Sequence, residues 1–302
     1  MSFELALNTG TTPRLNLREA VQAAAEAGLS HIGPWRHLIS DVGGAEPAAK
    51  IIGGAGLKAS TLCRGGFLTS NSAAGRSEAL ESNREAIREA AIIGANELIM
   101  VVGGLPAAAH ILGGQGDGAD KNIVAARDRV AKALGELVPY AAEHGVRLVL
   151  EALHPMYVAD RAVLSTLGQA LDLATPYPTS AVGVVVDTFH VFWDPQLQAQ
   201  IQRAGHEGRL ASYQICDFNL PIARDALQSR GMMGDGYIEF ASISRWVAQA
   251  GYRGPVEVEI FNEEVNNQAA ELTIRTMKER YEQLVLPHLN EASGVLEAST
   301  AN

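Results

Sequence analysis

The chain has 302 residues, 47% hydrophobic and 19% charged, which supplies enough apolar material for a large core and excludes a disordered chain. Its 24 basic and 34 acidic residues leave a formal charge of −10, without the basic face that a nucleic-acid partner requires. No apolar run approaches the ~18 residues of a membrane span, and MSFELALNTG lacks the basic and apolar regions of a secretory leader, so a cytoplasmic protein with no membrane partner is expected.

Strand-like and helix-like segments alternate along the chain. FELALN (3–8) reads as a strand and LREAVQAAAEAG (17–28) as a helix. HIGPW (31–35), LKASTLC (57–63), ELIMVVG (97–103) and VRLVLEA (146–152) read as further strands. Helices are predicted between them near 46–55, at 77–94 and at 121–144. The same rhythm continues with a helix near 165–174, AVGVVVD (181–187), a helix near 195–205 and RLASYQIC (209–216). A helix near 239–250, PVEVEIF (255–261) and a helix at 268–285 complete it.

The strands are rich in Val, Ile and Leu with little polar alternation, as parallel strands covered on both faces should be. Four helices stop at a glycine just before the next strand, in AEAGLS, IIGAN, AEHGVR and AQAGYR. Eight such units without a dinucleotide fingerprint after the first strand predict a single α/β domain, a (β/α)₈ TIM barrel over 1–289, rather than an open doubly wound sheet. Residues 290–302 are small and polar and are expected to form a flexible tail. Cys63 and Cys216 lie inside apolar runs and are expected as buried, reduced thiols. Two loops that follow strands, 103–122 and 217–236, are long enough to be lids or binding loops.

Four polar residues stand where four successive apolar strands end: Glu151, Asp187, Gln214 and Glu259. A carboxylate buried there alone costs several kcal/mol, so it must be solvated, paired or bound to metal. The intervals of 36, 27 and 45 residues each span one strand-loop-helix unit, which brings all four to one barrel mouth. Three carboxylates and one amide oxygen are hard ligands, suited to Mg²⁺, Mn²⁺ or Co²⁺ rather than to a thiolate zinc site. Glu257 shares a face with Glu259 but lies deeper; it is read as a charge partner of Arg147.

His154 and His190 each follow a strand-end carboxylate by three residues, in loops where function concentrates. A neutral imidazole there orients a hydroxyl or transfers a proton; the plainer alternative is a loop histidine with one backbone bond. Arg64 and Arg224 follow strands 3 and 7 and can bind hydroxyls or a carboxylate. Trp35, after strand 2, offers an indole face to a sugar ring.

LEALHPMY, VDTFHVFWDP, QICDF, RGMMGDG and VEVEIF together resemble the sugar phosphate isomerase/epimerase family, the xylose isomerase-like barrels, over about residues 3–285. The resemblance implies one divalent ion, Mn²⁺ first with Mg²⁺ or Co²⁺ as alternatives, held by Glu151, Asp187, position 214 and Glu259. Position 214 is Gln where the family has His, which makes the site harder and weaker. It further implies Glu151 and Glu259 as an acid/base pair acting through a cis-enediolate. His190 matches a substrate-binding histidine, and Asp217 an aspartate common three residues after the third ligand.

The function expected is isomerisation or epimerisation of a small carbohydrate, a keto-sugar or related polyol. The same superfamily includes lyases that use the same enolate chemistry, inosose-type dehydratases and 3-keto C-glycoside deglycosidase subunits, and these remain the alternative. The reading leaves open a homo-oligomer or a small partner subunit. A non-catalytic sugar-binding barrel is the other-class alternative, and the absence of a larger His cluster disfavours an endonuclease IV-like nuclease.

Overall fold

The protein is described from a computed structural model that covers residues 3–112 and 118–300. The strands are β1 (Leu5–Asn8), β2 (His31–Gly33), β3 (Lys58–Ala59), β4 (Leu62–Gly66), β5 (Glu97–Val101), β6 (Arg147–Leu150), β7 (Val182–Asp187), β8 (Leu210–Ile215), β9 (Asp217–Phe218), β10 (Arg230–Gly231) and β11 (Val256–Val258). All but β9 and β10 join one parallel sheet in the order β3-β2-β1-β11-β8-β7-β6-β5-β4. Its two ends, β3 and β4, are pieces of one strand separated only by Ser60 and Thr61. A bridge from Trp35 to Cys63 ties the chain after β2 to β4. The nine pieces are therefore eight barrel strands, and the fold is a (β/α)₈ barrel.

The helices are α1 (Leu17–Glu26), α2 (Arg36–Asp41), α3 (Ala45–Gly54), α4 (Ala73–Ile93), α5 (Ile123–Glu143), α6 (Leu167–Ala174), α7 (Thr188–Val191), α8 (Leu197–His206), α9 (Phe240–Gln249), α10 (Glu263–Asn266), α11 (Ala270–Leu284) and α12 (Leu286–Thr300). Their boundaries follow local chemistry. Asn16 and Glu19 form a reciprocal capping box at the start of α1. Ser72 caps Gly75 N–H, so α4 starts four residues before the predicted position. Gly28, Gly94, Gly145 and Gly251 take φ between 67° and 87°, the left-handed stop that a side chain would strain.

One boundary differs in kind. In place of the tail expected from residue 290, helix α12 runs to Thr300 and packs on α9, burying Leu289 and Ala292. The apolar positions in LPHLNEA outweigh the small polar residues after them, because a surface helix needs only one stripe to dock. Residues 301 and 302 of that tail lie outside the described residues. So does 113–117 of the first long loop, which otherwise forms a 3₁₀ segment over Pro106–Leu112. Among the described residues, no helix is long and apolar enough to cross a membrane.

Alternation along each strand separates two cores. Val182, Val184 and Val186 belong to the layer beneath the helices, whereas Val185 points into the barrel with Cys63, Ile99, Val149 and Ala211. Each such side chain contributes about 1.5–3 kcal/mol on burial. The same period of two sends Glu151, two after Val149, and Asp187, two after Val185, to the barrel axis at its C-terminal mouth.

Candidate active site

Register fixes the depth of each polar residue. Gln214 in β8 is level with Asp187 on one neighbouring strand and with Glu257 on the other. Glu151 and Glu259 each stand one residue beyond their strands. All five side chains are buried.

Glu257 forms the floor. Its carboxylate accepts from Asn8 Nδ2 at 2.7 Å, Gln214 Nε2 at 3.0 Å, Thr61 Oγ1 at 3.0 Å and Ser60 Oγ. These hydroxyls lie in the gap between β3 and β4, where the third strand leaves the ladder. A Cβ on Gly33 would fall 2.4 Å from Glu257 Oε2, so only glycine leaves room for the carboxylate. Arg147, expected as its partner, is not among these contacts. Its Nη2 donates to Gly208 O at 2.9 Å, and its charge acts on Glu97. Hydroxyl and amide donors thus hold the buried carboxylate.

Above the floor the organising residue is Arg230, which the sequence reading passed over. Its Nη1 lies 3.1 Å from Asp187 Oδ2 and 3.2 Å from Glu259 Oε2, and its Nη2 is 2.9 Å from His190 Nε2. The guanidinium lies between the rings of Phe189 and Phe261, with centroids at 4.9 and 5.4 Å. Arg230 is delivered by the second long loop. Strand β10 pairs antiparallel with β9, and Asn262 Nδ2 donates to the Arg230 carbonyl. A signal was present: buried strand-end carboxylates require a cation, and RGMMGDG carries one within the loop.

Burial dominates the electrostatics. It pushes Glu151 well above the usual carboxylate range, with Asp187 and Glu259 adding to the effect. It pushes Glu259 up to about 7, against the pull of Arg230. Asp187 also rises through burial, opposed by Arg230 and by the Phe189 amide that it caps. Burial and then Arg230 hold His190 well below the ordinary imidazole value, so the ring is neutral. That ring has one acceptor lone pair, yet the His154 amide approaches Nδ1 at 3.2 Å while Arg230 approaches Nε2.

Other polar demand is unmet. Gln214 Oε1 and Arg230 Nε are buried without a hydrogen-bond partner. One oxygen each from Glu151 and Asp187 and one ring nitrogen of His190 lie within 4.8 Å of one another, close enough to share an ion. Buried carboxylates in excess over cations, beside an orphaned carbonyl oxygen, fit a bound divalent cation.

A cavity of about 270 Å³ opens over this layer. Glu151, Gln214 and Glu259 reach it, with His190, Arg64 and Trp35; Arg161 and Phe67 join them unpredicted. Asp187 does not line it. Trp35 Nε1 donates to Asn8 Oδ1 at 2.9 Å and to Glu259 Oε1 at 3.1 Å, which orients the carboxylate. Larger grooves lie between α4 and α5 and between α1 and α11, away from the mouth.

Three predicted substrate contacts lie elsewhere. Asp217 caps the loop: its carboxylate accepts from the backbone N–H groups of Phe218, Gly234, Gly236 and Ile238 at 2.8–2.9 Å, leaving nothing for a substrate. His154 stacks on Phe218 and meets the edge of Trp193, outside the cavity lining. Arg224 is exposed on the outer side of the same loop.

A family model described as a xylose isomerase-like TIM barrel matches residues 21–280. An inosose isomerase of Halalkalibacterium halodurans is 26% identical over 156 residues, 51% of this chain and 54% of that protein. The chain thus spans about half the length of the curated relative it matches. The crystal structure of protein SMc04130 from Sinorhizobium meliloti 1021 is 41% identical, with a TM-score of 0.86 over 93% of this chain and 98% of that one. An IolI protein structure with a bound zinc atom shares the fold at 20% identity, TM-score 0.79, over 95% and 99% of the two chains.

Proposed function

Because the chain belongs to the xylose isomerase-like TIM-barrel family, we propose that it is a divalent-metal-dependent isomerase or epimerase of a keto-sugar or related polyol. One observation carries the reading. Of the three mouth carboxylates, Glu151 and Glu259 face the cavity, whereas Asp187 is held behind it by Arg230 and a backbone amide. Two carboxylates open to one small cavity suit moving a proton from and to carbon; the third suits holding charge.

Glu151, Asp187 and Glu259, with the orphaned Gln214 Oε1, are the hard donors for the ion. The ion, when bound, supplies Lewis-acid polarisation of the substrate carbonyl. Glu151 and Glu259 act as base and acid on the carbon beside that carbonyl, one removing the proton and the other returning it to the enediolate. Trp35 keeps Glu259 aimed at the cavity. The neutral His190 ring lines the cavity, and Arg230 fixes His190 and Asp187.

The test is incubation with a ketose panel in D₂O with Mn²⁺, Mg²⁺ or Co²⁺. The expected product is isobaric with its substrate apart from deuterium at the carbon next to the carbonyl. A product lighter by one water, or cleavage, overturns isomerisation in favour of a lyase. Ligand binding that survives Glu151→Gln and Glu259→Gln, without turnover by wild type, overturns catalysis altogether.

A further inference from the structure

Three arginines line the cavity, and they differ in how their charge is met. Arg230 has Asp187 and Glu259. Arg161 lies 2.9 Å from Asp160 and 3.3 Å from Asp225. Arg64 has no carboxylate, carbonyl or amide oxygen within hydrogen-bonding or ion-pair distance among the described residues. Its only direct contacts of this kind are aromatic: the guanidinium carbon is 4.2 Å from the Phe67 ring centroid and 5.6 Å from that of Trp35.

That contact is built at a conformational cost. Phe67 has φ 56°, left-handed backbone that a bulky aromatic residue rarely takes. Gly66 before it has φ 115°, and a Cβ there would fall 1.8 Å from the Val101 carbonyl oxygen. The backbone after β4 is thus bent so that the Phe67 ring covers one face of the guanidinium.

Ring contacts on the faces of a guanidinium leave its in-plane N–H edge free, the edge that matches a carboxylate or phosphate with two parallel bonds. A half-buried cation is retained without a protein counter-charge at a cost that a neutral hydroxyl does not offset. Glu151 and Glu259 act on Arg64 only from a distance, and an ion bound to them would take up that charge. The chain's net charge of −10 also excludes a generally anion-attracting surface as the reason for Arg64.

We propose that Arg64 is the anchor for an anionic group, a carboxylate or a phosphate, carried by the small molecule that enters the cavity. This rests on the metal-dependent keto-sugar reading above and narrows its substrate class to acidic ketoses or polyols. At about 270 Å³ the cavity lies below the ~300–1,000 Å³ of common ligand sites, which suits one compound of sugar size.

Three probes differ only at one end: D-fructose, D-fructuronate and D-fructose 6-phosphate. Their binding to the full chain with Mn²⁺ is measured by titration calorimetry. At least one anionic probe is expected to bind about tenfold or more tightly than fructose, as a charge-assisted bidentate contact should. The carboxylate and phosphate arms identify which anion is preferred. Arg64→Met is expected to reduce the preference to within about twofold, and Arg64→Lys, which keeps charge but loses the planar fork, to an intermediate value. Equal binding of fructose and both anions, undetectable millimolar binding of both anions, or an undiminished preference in Arg64→Met overturns the proposal. If Arg64→Met does not fold, wild type and Arg64→Lys decide: an unchanged preference in Arg64→Lys overturns it. Deuterium exchange by wild type is read in parallel. Exchange into fructose without an anion preference sinks the anchor alone, and an Arg64-dependent preference without exchange sinks the isomerase reading alone.

Discussion

Arg230 Nη1 lies 3.1 Å from Asp187 Oδ2, and both side chains are almost wholly buried. The pair joins a loop residue to the end of a barrel strand and so fixes the second long loop over the mouth. Removing one partner of a buried pair typically costs about 3–5 kcal/mol, because the other charge stays behind. Arg230→Met is expected to lower the unfolding free energy by about that much in urea titration. Asp187→Asn should cost less, since Arg230 keeps Glu259. A loss under 1 kcal/mol in Arg230→Met would mean that the guanidinium is not held as described.

Glu151→Gln and Glu259→Gln remove the groups assigned to proton transfer while keeping their shape. Each is expected to lower kcat for exchange of substrate deuterium by about 10²–10⁴-fold. Glu151→Gln should leave thermal stability unchanged, because burial and the neighbouring carboxylates already disfavour its charge; Glu259→Gln should cost less than Arg230→Met, because Arg230 keeps Asp187. Full exchange activity in either variant would remove that residue from the acid/base pair.

Gln214→His tests the one departure from the resemblance. An imidazole nitrogen at position 214 is a softer and stronger donor than an amide oxygen, so Co²⁺ and Zn²⁺ affinity should rise by tenfold or more in equilibrium dialysis, and Mg²⁺ affinity should not. Unchanged affinity for all three would place position 214 outside the ligand set and leave Gln214 as the partner of Glu257.

Asp217 gives a structural prediction. Asp217→Ala leaves four backbone amides, those of Phe218, Gly234, Gly236 and Ile238, without this acceptor. A loss of about 2–4 kcal/mol is expected, with faster proteolysis within 219–236. A normal proteolysis pattern would show that the loop has other sufficient anchors.

Glu97 predicts a pH effect outside the mouth. Burial, reinforced by Glu257 and opposed by Arg147, raises its pKa from 4.5 to about 8. The protonated form is favoured on folding. Its stabilising contribution is therefore full below about pH 4.5 and is lost as pH rises through about 8. Because the side chain keeps some contact with water, the loss is set at about 1–2 kcal/mol. Glu97→Gln should flatten stability against pH across that window by this amount. Identical curves for wild type and variant would assign the pH dependence elsewhere.

The barrel was legible because its determinants are local: short apolar strands, helices with one apolar stripe, and glycine stops. Parity along a strand is also local, so Glu151 and Asp187 could be assigned to the barrel axis from their spacing to Val149 and Val185. The sequence by itself therefore determined the fold, the mouth and the strand-end polar set. Which cation meets that set was decided only by tertiary structure, because Arg230 arrives on a loop whose path depends on the β9–β10 pairing and on Asp217. That Asp217, His154 and Arg224 stand outside the cavity lining has the same reason: periodicity fixes the direction of a strand residue, but a loop side chain points wherever long-range contacts send it. The partners of Glu257 and the exposed edge of Arg64 were likewise invisible in the sequence. Both depend on groups that meet only when the third strand breaks at Ser60 and Thr61 and the backbone after it bends at Gly66 and Phe67.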